Sequence, residues 1–335
     1  MLKLRSSQPI LFSMIVLLCL NYGVLDSALA LKGSYPGTNG KIAFSDRDPD
    51  PPYDTEIFVM DNDGTNIEQL TYNEDYDDDP CWSPDGTKIA FEHGDEIWIM
   101  DADGSNQRQL TTTPDSFSDG DPAWSPDGGK IAFTRYSGPN IYVIDANGPA
   151  GPGTFLIADG RWCSWSPDGS EIVCDVEPDT ISVADANTGA IKRTLGSGEH
   201  PCWSPDGTKI VYVNIGDVIW VMDATDGSNK EQLSDPDSGF MDHHPNWSPD
   251  GNKIIFNREP DSIWIIDADG SNEFDLTPGL PDAVEPDYQR LEPEPTPVGG
   301  ITGPINKLEI LTPYLALAGL IIVVSAIFII GKRKD

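Results

Sequence analysis

Six side chains suited to chemistry recur at one place in a repeated pattern: Glu285, Asp79, Asp121, Trp162, His200 and His244. Five of them stand three residues before the tryptophan of a Trp-Ser-Pro-Asp-Gly string, at Trp82, Trp124, Trp165, Trp203 and Trp247. Glu285 stands three residues before Tyr288. The residue type changes from copy to copy, so architecture alone does not demand it. Three carboxylates and two imidazoles meeting at one point could ligate a divalent cation, calcium or another, which needs donors within about 2.0–2.6 Å. His200 and His244, one repeat apart, are the better pair for a metal. The same groups could form a polar mouth for a partner's cation or peptide. A solvated rim that tolerates polar residues is the third reading.

Other candidates are weaker. The Asp-x-Asp-Gly turns at Asp61, Asp101 and Asp267 place carboxylates at alternating positions, as calcium loops do, but lack the later acidic ligand and read as hairpins. The turn aspartates Asp85, Asp127, Asp168, Asp206 and Asp250 and the five tryptophans read as structural, because repetition in every unit signals architecture. Cys163 and Cys174 are a disulfide candidate. If Trp165 faces Ile172 across a hairpin, they face each other, with Cβ atoms about 4.5–5.5 Å apart; buried thiols are the alternative. Cys81 and Cys202 fill the slot before their tryptophans on opposite sides of the ring and should not bond. The sequon Asn246-Trp247-Ser248 lies in an inner strand before Pro249 and is expected to be unused. No nucleophile elbow, His-Glu-x-x-His or phosphate loop is present, so neither an enzyme nor a resident cofactor is expected.

The elements that must position these residues follow from the spacing of the tryptophans, which is 42, 41, 38 and 44 residues. Periods near 40 with short β patterns predict propeller blades. In the second unit Pro80 to Ser83 is a strand and Pro84-Asp85 a turn, followed by strands over Lys88 to Phe91, Glu96 to Met100 and Arg108 to Thr111. The first unit, from Gly40 to Thr71, lacks the opening string, and Val284 to Tyr288 imitates it after the sixth unit. That segment is expected to supply the missing inner strand, closing a six-bladed ring without open sheet edges.

Asp121 to Gly128 followed by Ile131-Ala132-Phe133 resembles the WD40-like PD40 repeat, and the set over residues 38–290 is similar to the six-bladed β-propeller of the TolB family. The resemblance implies an all-β fold and says little of function.

The ends differ from the middle. Residues 1–30 read as a signal peptide, with Lys3 and Arg5, an apolar run from Ile10 to Leu20 and Ala28-Leu29-Ala30 as cleavage site. The propeller is expected over 31–290, a Pro/Gly-rich stalk over 291–309, a transmembrane helix over 310–331 and a cytoplasmic tail over 332–335, where Lys332, Arg333 and Lys334 obey the positive-inside rule. This stalk and basic-tipped helix resemble anchors of archaeal cell-surface proteins. The formal net charge of −34 over 335 residues excludes a phosphate-backbone partner. The expected protein is a single-pass cell-membrane protein with its propeller outside, binding a protein or peptide through the channel mouth and loops. A metal-dependent hydrolase or lyase at the mouth, and a structural envelope spacer, are the alternatives.

Overall fold

The computed structural model describes residues 38–47, 54–113, 117–136, 138–235, 239–260, 262–280 and 282–291. The signal peptide, stalk, transmembrane helix and tail lie outside them, apart from Leu291. Among the described residues there is no helix, and all strands fall into six four-stranded antiparallel sheets.

Each sheet is one blade of a ring. Blade 2 runs from its inner strand Asp77–Trp82 through Lys88–His93 and Glu96–Asp101 to the outer strand Arg108–Gln109. Blades 3 to 6 repeat this order, with inner strands Asp119–Trp124, Gly160–Trp165, Glu199–Trp203 and Asp242–Trp247. Blade 1 takes its inner strand from the far end of the described chain: Val284–Leu291 pairs with Thr38–Arg47, with Ala43 opposite Asp287 and Thr38 opposite Leu291. The closure expected from the sequence is therefore present.

The core lies between blades. Nine residues after each tryptophan the second strand carries a large buried side chain, Phe91, Phe133, Tyr212 or Phe256, with Phe44 in the equivalent place in blade 1. Blade 4 has Cys174 there, also fully buried. Around Tyr288, the residues Ile42, Phe44, Ile255 and Ile263 form one cluster joining blade 6 to blade 1, so the last strand is packed as well as hydrogen-bonded.

The inner strands share one irregularity. In blade 2, Cys81 pairs with Ala90 and Asp78 with Glu92, leaving Asp79 and Pro80 together opposite Phe91. The same two-against-one bulge occurs in the other five blades. In blade 4 it falls at the expected disulfide pair. Trp165 does face Ile172, but the bulge then sets Trp162 and Cys163 together against Cys174, and both cysteines are free thiols. Digestion of the unreduced, alkylated protein should yield both as separately labelled peptides; a linked Cys163–Cys174 peptide would contradict the structure.

The blade order also sorts the loops. The crossovers into each inner strand and the hairpins between second and third strands lie on one face, where they hydrogen-bond: Gly94 N to Tyr76 O at 2.8 Å, Asp119 N to Asp95 O at 3.0 Å, Asp242 N to Asp217 O at 3.0 Å. The Pro-Asp-Gly turns, Thr38 and Leu291 lie on the other face. Truncating Tyr288 to alanine should cost about 3–5 kcal/mol in urea unfolding, as for other buried aromatics, whereas Tyr72→Ala, at 72% exposure, should cost under about 0.5 kcal/mol.

Candidate functional site

The bulge aims the six candidate residues. Each is its first residue and sits in the left-handed region: φ is 52° at Asp79, 50° at Asp121, 48° at Trp162, 49° at His200, 47° at His244 and 54° at Glu285. Glycine suits that conformation best, and a side chain there costs about 1–2 kcal/mol. None of the six is glycine. All six line one central cavity of ≈ 330 Å³, which continues down the channel past Cys81 and Asn246 to Trp82 and Arg290. The predicted convergence is real, and the ring divides into two unlike halves.

Blades 1 to 3 supply acids. The Asp79 N–H donates to Glu285 Oε2 at 3.0 Å, and the Asp121 N–H donates to Asp79 Oδ2 at 3.0 Å, so successive blades are stitched carboxylate to backbone. The Tyr136 hydroxyl donates to the Asp121 carboxylate. Glu92 reaches over from the second strand of blade 2 into the space left by Gly120, where a Cβ would collide with its carboxylate. Burial first, then mutual repulsion, pushes these carboxyls up: Asp79 to about 6, Asp121 to about 8, Glu92 to about 9 and Glu285 well above its ordinary value. Among the described residues no lysine or arginine forms an ion pair with any of them.

Blades 4 to 6 supply neutral rings. Trp162 and His200 lie 3.8 Å apart between centroids, tilted by 34°, and His244 meets His200 edge-on at 4.1 Å. Burial holds both imidazoles below the usual histidine range, His200 the further because His244 and His243 add to it. His244 Nδ1 lies 3.0 Å from Asn257 Oδ1, which assigns the donor role to the ring. His200 Nδ1 is buried and has no partner. The Arg161 guanidinium stacks 4.2 Å above Trp162 but is ion-paired with Asp175 at 2.9 Å.

The metal reading finds two adjacent imidazoles and no third ligand. No group of three His, Cys, Asp or Glu side chains among the described residues has the spacing to hold an ion. The Asp-x-Asp-Gly segments are hairpin turns whose carboxylates take local donors: Asp103 Oδ1 accepts from the Ser105 N–H at 3.0 Å, and Asp101 pairs with Lys88 at 2.6 Å. Asn246 of the sequon faces the channel and donates to Asp287 Oδ1 at 2.5 Å.

Sequence reasoning missed the layer behind the mouth. Ten residues after each tryptophan stand Glu92, Thr134, Asp175, Val213 and Asn257, each paired next to the bulge. The offset was readable, but the residue types vary too much to announce a role. Also missed was the surround: Tyr72, Tyr76, Phe117, Tyr136, Phe240 and Met241 are exposed in the crossovers and hairpins of the mouth face.

Residues 51–122 match the family described as the dipeptidyl peptidase IV N-terminal region. No curated protein matches the chain. Among solved structures, TolB from Acinetobacter baumannii is 23% identical with a TM-score of 0.62, over 75% of this chain and 66% of that one. A putative TolB from Agrobacterium tumefaciens is 20% identical with a TM-score of 0.58, over 75% of this chain and 99% of that one. A chain of a nidogen/laminin complex is 10% identical with a TM-score of 0.59, over 76% of this chain and 100% of that one. At these identities the likeness is one of fold, and the fold is a TolB-like six-bladed β-propeller.

The acid half makes stability depend on pH. A carboxyl whose folded value is raised binds its proton more tightly when folded, so its contribution is complete below about pH 4 and is lost as pH rises through the folded value. For Asp121 and Glu92 that window runs from about 4 to about 8 and about 9. Thermal unfolding should therefore move to lower temperature between pH 5 and pH 9, by at least the roughly 2–4 °C that one kcal/mol represents in a domain of this size. In Glu92→Gln the decline should be shallower; an equally steep profile would show that Glu92 ionises freely.

Proposed function

We propose that this protein is a non-enzymatic binding module that takes a protein or peptide partner at the mouth face of its propeller. The observation that carries this reading is the mouth itself. Six non-glycine residues are held in left-handed backbone around one cavity, with unpaired acids on one side and neutral rings on the other. The carboxylates do hydrogen-bond the backbone of the next blade, but crowding acids without a cation in left-handed backbone is costly to stability, which supports a role in recognition. The exposed aromatic and methionine side chains around it, types enriched in binding surfaces, support a partner larger than a small molecule. One of the similar folds comes from a nidogen/laminin complex, an assembly of proteins.

In this reading residues 1–30 direct export, and the apolar segment 310–331 holds the protein in the cell membrane with the propeller outside. Thr38 and Leu291 lie opposite each other at the face away from the mouth.

Crosslinked capture from native membranes tests the reading. The full chain is compared with a variant carrying Asp79→Asn, Asp121→Asn, Trp162→Ala and His200→Ala, after both show cooperative unfolding. Recovery of a specific partner should fall at least tenfold in the variant. Equal recovery by both proteins would move the binding surface away from the mouth.

A further inference from the structure

We propose that the mouth recognises one positively charged group, an ammonium or guanidinium, on the carboxylates of blades 1 to 3, while an apolar or aromatic group beside that charge lies on Trp162 and His200. This rests on the binding-module reading above and names what is bound.

Five carboxyl groups, Asp78, Asp79, Glu92, Asp121 and Glu285, gather in the acid half with no cationic partner among the described residues. Asp78 Oδ1 is buried without a hydrogen bond. Buried acids are ordinarily paired, because an uncompensated charge in a poorly solvated place is expensive. None of the ion pairs among the described residues involves these acids: Arg161, on the inner strand of blade 4, is bound by Asp175 and by Asp179 at 3.3 Å, and Arg290 lines the far part of the channel. A cation from outside would remove the repulsion and use acceptors already held in place by the backbone of neighbouring blades.

His200 points to a ligand independently. Its side chain is only 8% exposed, it lines the same cavity, and its Nδ1 has no partner. An imidazole kept neutral can accept from an ammonium or donate to a peptide carbonyl, and it adds no positive charge beside Trp162, where the Arg161 guanidinium is already paired with Asp175. Trp162 is the best ring for a neighbouring aromatic or methylene stem. A cavity of ≈ 330 Å³ is at the small end of ligand sites. It suits one or two side chains, with the rest of a partner on the rim near Tyr76 and Phe240.

Protonation sets the strength of the interaction. The groups facing the acid half are Asp78, Asp79, Glu92 and Asp95 of blade 2, Asp121 and Tyr136 of blade 3, Glu285 of blade 1 and His244 of blade 6. The acids must release protons to meet a cation, so affinity rises from pH 6.5 to pH 8.5 and protons leave on binding.

Calorimetric titration of the full chain in detergent with four amidated dipeptides tests the proposal. Acetyl-Lys-Phe-amide carries a side-chain ammonium, Ala-Phe-amide an N-terminal one, acetyl-norleucine-Phe-amide neither, and acetyl-Lys-Gly-amide lacks the ring. At least one charged phenylalanine peptide should bind tenfold or more tightly than the norleucine peptide. The tighter of the two tells whether the natural group is a side chain or a chain terminus. Loss of the ring should weaken binding severalfold, as should Trp162→Ala. Asp79→Asn with Asp121→Asn should abolish the preference for charge, and Glu92→Gln serves if that pair does not fold. Binding of both charged phenylalanine peptides no tighter than that of the norleucine peptide would overturn the proposal while leaving mouth-dependent capture intact. So would no binding of any peptide at about 10 mM. Charge-selective binding without mouth-dependent capture would instead sink the binding-module reading.

Discussion

The molecule turns on a two-against-one bulge made six times at the ring axis. Inner strands that ran straight would alternate their side chains regularly and send half of them into the blade interior. The bulge breaks that alternation once, rotating one residue into the left-handed region and toward the axis. In five blades the next residue is proline, which offers no N–H to the ladder and keeps its predecessor out of the right-handed helical region. The irregularity is thus written into each copy and cannot be smoothed away. Blade 4 has Cys163 in place of proline and keeps the bulge, because ring geometry imposes on one blade what sequence imposes on five.

The same residue type serves two opposite ends in consequence. Asp127 follows Asp121 by six positions. Its carboxylate accepts from the Ser125 hydroxyl at 2.7 Å and the Gly129 N–H at 3.0 Å, and these bonds hold it below the usual range. It closes a turn on the face away from the mouth. Asp121 is carried inward by the bulge, is pushed up by burial and by Asp79, and so holds its proton more tightly. Most of the net charge belongs to the first kind and serves solubility and local structure. Only the second kind is concentrated, desolvated and uncompensated. A count of acids along the chain does not separate them; the backbone conformation at each one does.

That contrast explains how much was legible beforehand. A repeat forces its members into equivalent places, so the tryptophan spacing revealed the blade number, the imitation at Val284 to Tyr288 revealed the closure, and the position three before each tryptophan revealed the mouth. Pairing across a hairpin is a different kind of fact. It depends on how many residues each strand spends between two pairs, and a regular ladder was assumed where a bulge occurs. Cys163 does stand opposite Cys174, as Trp165 stands opposite Ile172, but it shares that place with Trp162 across the bulge, and both cysteines are free thiols. Glu92 and Tyr136 were hidden because they come from second strands, where the positions equivalent to Glu92 hold Val213 or Asn257 and those equivalent to Tyr136 hold Gly94 or Ile215. Recognising the acid half requires knowing which blades are neighbours and which side chains lean across the gap between them.

A mouth of this kind is sustainable only on a scaffold that cannot relax. Left-handed residues and crowded carboxyls would pull a loop out of shape, since each would gain by moving toward water. Here they sit on inner strands clamped on both sides by fully buried side chains such as Phe91, Phe133 and Phe256. Close packing of this sort transmits strain rather than absorbing it. Closure matters for the same reason. With Val284–Leu291 hydrogen-bonded to Thr38–Arg47 and Tyr288 buried between blades 6 and 1, blade 1 is complete and joined to its neighbour, and Glu285 is held on an inner strand as Asp121 is. An open ring would let blade 1 swing outward, which would lengthen the contact from Glu285 to the Asp79 N–H and relieve the crowding of the acids. The closing strand therefore does more than stabilise the fold: it keeps the acids pressed together at the axis.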